Sequence, residues 1–140
     1  QLALYMVLYS PLNMLCDSPS NYRREQECTD FIASVPTVWD ETRVLDAKMG
    51  EYVVTARRKG SDWFIGGITN WTARDLTVDL APLNLNAGAQ ITLFTDGANA
   101  HRNGNDYRRI TATVSPTSTF DVHLAPGGGF AARISASGAR

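Results

Sequence analysis

Cysteine is scarce in this chain of 140 residues, which holds only Cys16 and Cys28. Two cysteines make no disulfide framework, and their spacing gives neither a CxxC pair nor a zinc-ligand pattern. They are read as free thiols that pack as small hydrophobes. Histidine is equally sparse: His101 and His123 have no serine or cysteine partner in a triad-like context, so nucleophilic catalysis finds no support. Charge of one sign is lacking too. Thirteen basic and fourteen acidic residues leave a net charge of -1, which removes the electrostatic case for nucleic acid or an anionic membrane as a partner. The basic clusters Arg57-Arg58-Lys59 and Arg108-Arg109 fall at strand ends, where exposed charge is the plainer expectation. Long apolar runs are missing as well. The opening Leu2–Tyr9 stretch is far shorter than the ~20 residues of a membrane-spanning helix, and it lacks the basic flank of a signal peptide.

What is present divides near Pro36. Before it, Leu2–Tyr9 is apolar nearly all round and is expected as a buried helix stopped by Pro11. Leu12–Cys16 is a mostly apolar run that opens into the polar loop Asp17–Tyr22, as a buried parallel strand does on reaching the face of an α/β barrel. In Arg23–Val35 the residues Cys28, Phe31, Ile32 and Val35 fall at i, i+3, i+4 and i+7, a single helical stripe. One strand between two helices cannot form a sheet, and an apolar segment begins at residue 1. Residues 1–36 are therefore expected to continue a longer chain, of which this is a C-terminal piece.

From Thr37 the period changes to two. Eight strands are predicted: Thr42–Lys48, Glu51–Arg58, Asp62–Asn70, Asp75–Leu80, Gln90–Thr95, Arg108–Val114, Thr119–Leu124 and Gly129–Ile134. Glycine and proline breakers separate them, a pattern that argues for an antiparallel β-sandwich. The surest pairing is the hairpin around Lys59-Gly60-Ser61, because Gly60 can take the positive φ of a tight turn. Ser135–Arg140 is expected as a frayed tail.

Several stretches bear on chemistry. Asp17, Ser18, Asn21 and Tyr22 follow the expected barrel strand, so they either stand near a substrate or simply cap the next turn. Asp40 and Glu41 are adjacent and point to opposite sides of an extended chain, a poor pair for glycoside hydrolysis. An ion pair with Arg43 or plain exposure is the better expectation. Trp63 lies inside a strand and reads as core, whereas Trp71 at a strand end is the candidate for an exposed ring that stacks on sugar. The oxygen-rich stretch Asp96–Tyr107 departs from the EF-hand spacing and reads as a long hairpin loop. Pro126–Gly129 has no phosphate-loop lysine after it and reads as a turn. Asn70-Trp71-Thr72 matches the short glycosylation pattern, which recurs often by chance.

A resemblance gathers these pieces. Leu2–Tyr5, Ser10–Met14, Asp17–Tyr22, Thr37–Thr42, Gly50–Tyr52, Ala56–Arg58 and Gly127–Ala131 together resemble the end of glycoside hydrolase family 97, bacterial α-glucosidases and α-galactosidases. The likeness implies a mainly β fold: residues 37–140 as a C-terminal β-sandwich, preceded in residues 1–36 by a helix-strand-helix remnant of the catalytic (β/α)8 barrel. It implies a parent that cleaves α-glucosidic or α-galactosidic bonds with carboxylates and calcium lying earlier in the chain. No catalytic or metal residue and no cofactor is expected in this piece, and Asp17, Ser18, Asn21 and Tyr22 would stand near the pocket. The expected partners are the parent's barrel and N-terminal domain and an oligosaccharide substrate, with no nucleic acid and no membrane. The resemblance places the parent in the bacterial periplasm or outside the cell. The alternative from another class is a carbohydrate-binding sandwich using Trp71 as a platform.

Overall fold

In a computed structural model that describes residues 1–136, eight strands follow three short helices. The helices are α1 (Leu4–Val7), α2 (Pro19–Arg24) and α3 (Gln26–Ser34). The strands are β1 (Glu41–Lys48), β2 (Tyr52–Lys59), β3 (Asp62–Thr69), β4 (Arg74–Asp79), β5 (Ala89–Asp96), β6 (Tyr107–Val114), β7 (Thr119–Leu124) and β8 (Gly129–Ser135). Every predicted strand is found, with no end shifted by more than one residue. Six strands form an antiparallel sheet in the order β1-β2-β3-β8-β5-β6, and β4 and β7 pair in a second sheet. The central hairpin turns on Gly60 at φ +58°, with Lys59 opposite Asp62. Asp40 accepts from Gly60 N and from Lys59 Nζ, contacts that hold its carboxyl below the ordinary carboxylate range. Glu41 pairs with Arg43 and Arg58, so neither adjacent carboxylate is free for chemistry.

The large sheet is covered on both faces, which accounts for the nearly unbroken burial of β3 and β8. One face carries Val54, Ala56, Trp63, Ile65, Ile91, Leu93, Phe130 and Ile134, which pack against Val78 and Val122 of the small sheet. The other face carries Phe64, Phe94 and Ala131 beneath Met6 of α1 and Phe31 of α3. Burying side chains of this size stabilises by about 1.5–3 kcal/mol each. The consecutive Gly66 and Gly67 serve opposite layers. A Cβ on Gly66 would stand 2.7 Å from Ala3 O and 2.9 Å from Met6 Cβ, and one on Gly67 would stand 2.2 Å from Phe130 Cε1. α1 can therefore lie directly on β3 while the Phe130 ring fills the space behind it.

Several expectations need correction. Residues 2–9 give only one turn of helix, buried on one side. Met6 is fully buried, but Leu4, Leu8 and Tyr9 are exposed because nothing in the described chain covers their side. Leu12–Cys16 is not a strand. It is irregular, with Leu12 and Met14 about three-quarters exposed (76% and 74%); a strand needs a neighbour for its N–H and C=O groups, and among the described residues none pairs with it. Cys16 is accordingly exposed and not packed as a hydrophobe, while Cys28 is half-buried, and both are free. The expected helix over 23–35 is two helices broken at Glu25 (φ -105°, ψ 49°), although its stripe does face the sheet through Phe31. Ser135 is in β8, Ala136 follows it outside any strand, and the rest of the expected tail, residues 137–140, lies outside the described residues.

Gly67→Ala is expected to lower stability by about 1–3 kcal/mol, the usual cost of overpacking a filled core. Paired with Phe130→Leu, the loss should be smaller than the sum of the two single losses. Urea unfolding with an unchanged m-value is the measurement that checks both.

Candidate functional site

The helical cover is fastened by a buried arginine. Arg57 follows Thr55 on the outer face of β2, opposite Phe64 of β3, and is only 7% exposed. Its Nε donates to Met6 O, its Nη2 donates to Val7 O at 3.1 Å and its Nη1 donates to Thr42 Oγ1 at 2.9 Å. The last carbonyls of a helix have no partner within it, and here the guanidinium supplies donors to two of them. Tyr9 completes the seat, its ring centroid 5.4 Å from Arg57 Cζ. Burial pulls the Arg57 pKa down, yet an arginine stays charged in proteins. The expectation of exposed charge at 57–59 thus fails at its first residue and holds for Lys59. The only clue in the sequence was that Arg57 shares the alternating face of Val53 and Thr55.

α3 is fastened separately. Phe31 meets Phe94 with ring centroids 4.9 Å apart. Glu27 accepts from Tyr107 Oη at 3.0 Å and from Arg109 Nη1 at 2.9 Å. The Cys28 thiol, burial and the Glu27 carboxylate all push the Tyr107 hydroxyl pKa up, so it remains a proton donor to Glu27.

Between this cover and the strand ends lies a cleft of about 1000 Å³, lined among others by Asp17, Asn21, Tyr22, Asp96, Tyr107 and Gly128. Three of the four residues expected near a substrate share its wall, and Ser18 does not line it. Asp17 Oδ1 accepts from Asn21 Nδ2 at 2.7 Å and from Ser18 N at 2.6 Å. The Asn21 amide, followed by the Ser18 N–H, holds this carboxyl below the ordinary range. Neither contact caps α2, whose N-cap residue Ser18 makes no side-chain hydrogen bond to the helix backbone. Ser18 Oγ lies 3.1 Å from Ser20 Oγ, and Tyr22 is half-buried, its carbonyl accepting from Thr29 Oγ1. Asp96 Oδ2 accepts from Ala125 N and Gly129 N and so pins the turn before β8. The sequence held no signal for that role beyond the position of Asp96 at a strand end. The cleft can present hydroxyl, amide and carboxylate oxygens to a polar ligand, but Asp17 and Asp96 already serve the backbone around them.

Trp71 is 86% exposed, and its ring rests against Gly127 of the turn between β7 and β8. Residues 97–106 form the loop of the β5–β6 hairpin, with Asp106 Oδ2 accepting from Asn99 N. Among the described residues no three His, Cys, Asp or Glu side chains are grouped to hold a metal ion.

The model of the glycosyl-hydrolase 97 C-terminal, oligomerisation family matches residues 38–135. The chain belongs to glycoside hydrolase family 97. It is 60% identical over 134 residues to a retaining alpha-galactosidase of Bacteroides thetaiotaomicron, a match over 96% of this chain and 20% of that protein. It is 32% identical over 133 residues to a probable retaining alpha-galactosidase of Streptomyces bingchenggensis, over 94% of this chain and 20% of the relative. A family-97 enzyme of Pseudoalteromonas sp. strain K8, solved in complex with acarbose, superposes with a TM-score of 0.88 at 36% identity, over 96% of this chain and 22% of that one. The chain thus spans about one fifth of the length of the curated family-97 relatives it matches. Those matches run beyond the domain matched by the family model and take in residues of the helical cover.

Arg57→Met keeps much of the apolar stem but leaves the Met6 and Val7 carbonyls without donors. It should cost about 2–3 kcal/mol and release the cover, so limited proteolysis is expected to cut within residues 1–16 far faster than in the wild type.

Proposed function

We propose that this chain is the C-terminal part of a family-97 enzyme that cleaves α-galactosidic bonds with retention. In that reading residues 1–36 form the end of the catalytic barrel, and the sandwich seals its flank and joins copies of the enzyme. One observation carries it. α1 is locked to the sandwich by Arg57, yet Leu4, Leu8, Tyr9, Leu12, Met14 and Leu15 stand exposed along the same short segment. An apolar strip of this kind marks a surface built to meet more protein, and a barrel is what would cover it. The α-galactoside class is favoured over the α-glucoside class by the names of the two curated relatives. The joining role is favoured by the description of the matched family.

The reacting carboxylates and calcium belong, in this reading, to the parent's other segments. This chain's own contribution is to hold the Asp17–Tyr22 loop at the edge of the pocket, with Asp17 orienting Asn21 and stiffening the turn. An export route to the periplasm or beyond the cell is part of the same proposal. The isolated chain is expected to leave nitrophenyl α-galactoside unhydrolysed, and turnover above background would defeat the reading. In the whole enzyme Asp17→Ala should lower kcat/KM by about tenfold, the ~1.4 kcal/mol of lost positioning. Unchanged kinetics would remove this loop from the pocket.

The exposure of Trp71 supports a second reading, a carbohydrate-binding module with the ring as its platform. One ring resting on a glycine turn gives a single stacking contact. Titration with α-galactosyl oligosaccharides is therefore expected to leave tryptophan fluorescence unquenched, and saturable quenching lost in Trp71→Ala would favour the module.

A further inference from the structure

The outer strands of the large sheet are β1 and β6, and they are finished differently. An edge strand offers unpaired N–H and C=O groups to any second strand, and proteins blunt such edges with charges, bulges, proline or cover. β1 has a register shift between Val44 and Asp46 and carries Arg43, Asp46 and Lys48. β4 and β7 of the small sheet are six residues each. They carry Arg74, Asp75, Asp79, Asp121 and His123. β6 has none of these devices in its second half. Its eight residues pair with β5 without interruption from Asp96–Tyr107 to Ala89–Val114, and Ile110-Thr111-Ala112-Thr113 is uncharged and exposed throughout.

Which of its backbone groups are free follows from the ladder. Gly97 N donates to Asp106 O at 2.8 Å, so that pair, one step beyond Asp96–Tyr107, is a hydrogen-bonded pair. Bonded and open pairs alternate in antiparallel sheets. Arg108, Ile110, Ala112 and Val114 therefore bond to β5, and the N–H and C=O groups of Tyr107, Arg109, Thr111 and Thr113 point away from it.

We propose that β6 is the edge through which two copies of this chain pair, antiparallel about a two-fold axis at Thr111. The assignment rests on the joining role proposed above and gives it a surface. A two-fold pairing must match outward groups with outward groups, so only registers centred on a residue are allowed. With Thr111 opposite Thr111 of the partner subunit, Arg109 faces Thr113 of the partner subunit and Arg108 faces Val114 of the partner subunit. Moving the centre to Ala112 brings Arg108 against Pro116 of the partner subunit, and moving it to Arg109 sets two arginines face to face. Centring on Ile110 gives a ladder of equal length over residues 107–113 but draws in Tyr107, which is fastened to α3 through Glu27; centring on Thr111 keeps the ladder to residues 108–114, farther from that helix. Isologous contacts of this kind close at two subunits. The contact would also cover Ile110, which is 44% exposed.

Light scattering after size exclusion tests this on the chain with Cys16→Ser, which removes the exposed thiol. The Cys16→Ser chain is expected at twice its own mass. Thr111→Pro should halve that mass with an unchanged circular dichroism spectrum, because the lost N–H points away from β5. Met14→Glu, on the exposed N-terminal segment, should leave the dimer intact. Under mild oxidation Thr111→Cys should cross-link to a covalent dimer and Ala112→Cys should not, which keeps the test valid if the proline variant fails to fold. A dimer that survives Thr111→Pro, or that Met14→Glu dissolves, overturns the β6 assignment and leaves the joining role standing. A Cys16→Ser chain that is monomeric at every loading overturns both.

Discussion

The Arg57 guanidinium sits where the helical cover meets the large sheet. It projects from β2 toward the helices, between the end of α1 and the start of β1. Without donors from the sheet, the last carbonyls of α1 would be buried against Phe64 with no partner, a cost of about 1–3 kcal/mol for each. One turn of helix has no stability of its own to offset that, since helix nucleation is unfavourable even in long peptides. α1 therefore exists because the sheet provides its cap, and Met6 reaches its fully buried position because α1 exists. The second helical contact, Glu27 with Tyr107 and Arg109, lies at the far edge of the same sheet. The cover is fastened at both ends and spans Phe64 and Phe94 between them.

A sheet buried on both faces must allow close approach on both, and Gly66-Gly67 does so in two consecutive residues. Strand side chains alternate between faces, so one missing Cβ admits α1 and the next admits Phe130. The consequence reaches the small sheet. Phe130 meets Phe120 of β7 edge-on, with centroids 5.7 Å apart, so the space behind Gly67 also sets how closely β7 lies over β8. Widening either glycine would shift a different layer, which is why the pair acts as a single spacer between the helices and the second sheet.

The eight strands were legible because alternation and turn residues are local signals, and Gly60 announces its hairpin within three residues. The division into six and two strands was not. β8 enters between β3 and β5, a long-range choice that residue periodicity does not encode. Leu12–Cys16 failed for a related reason: an apolar run reads the same whether a neighbouring strand awaits it or not, and among the described residues none does. Arg57 failed because charge next to Arg58 and Lys59 looks like a solvated strand end, while its burial depends on carbonyls fifty residues earlier in the sequence. Asp17 was legible only as a pair of alternatives. In the structure Asp17 bonds to the Ser18 N–H and the Asn21 amide and shares a cleft wall with Asn21 and Tyr22, which matches neither alternative alone.

The two surfaces left open by this architecture differ in chemistry, and that difference separates their partners. The N-terminal strip is made of large apolar side chains on irregular backbone, which side-chain packing alone can satisfy, as in the interior of a folded chain. The free edge of β6 is backbone: regular, uncharged in its second half and offering alternate N–H and C=O groups. Only another extended strand satisfies these in register. A surface of the first kind suits covalent continuity with a barrel, where association costs no translational freedom. A surface of the second kind suits an identical strand related by symmetry, because the same sequence then meets both the donor and the acceptor requirement. Arg57 ties the two together, since the layer it fastens carries the apolar strip and covers the sheet that ends in β6.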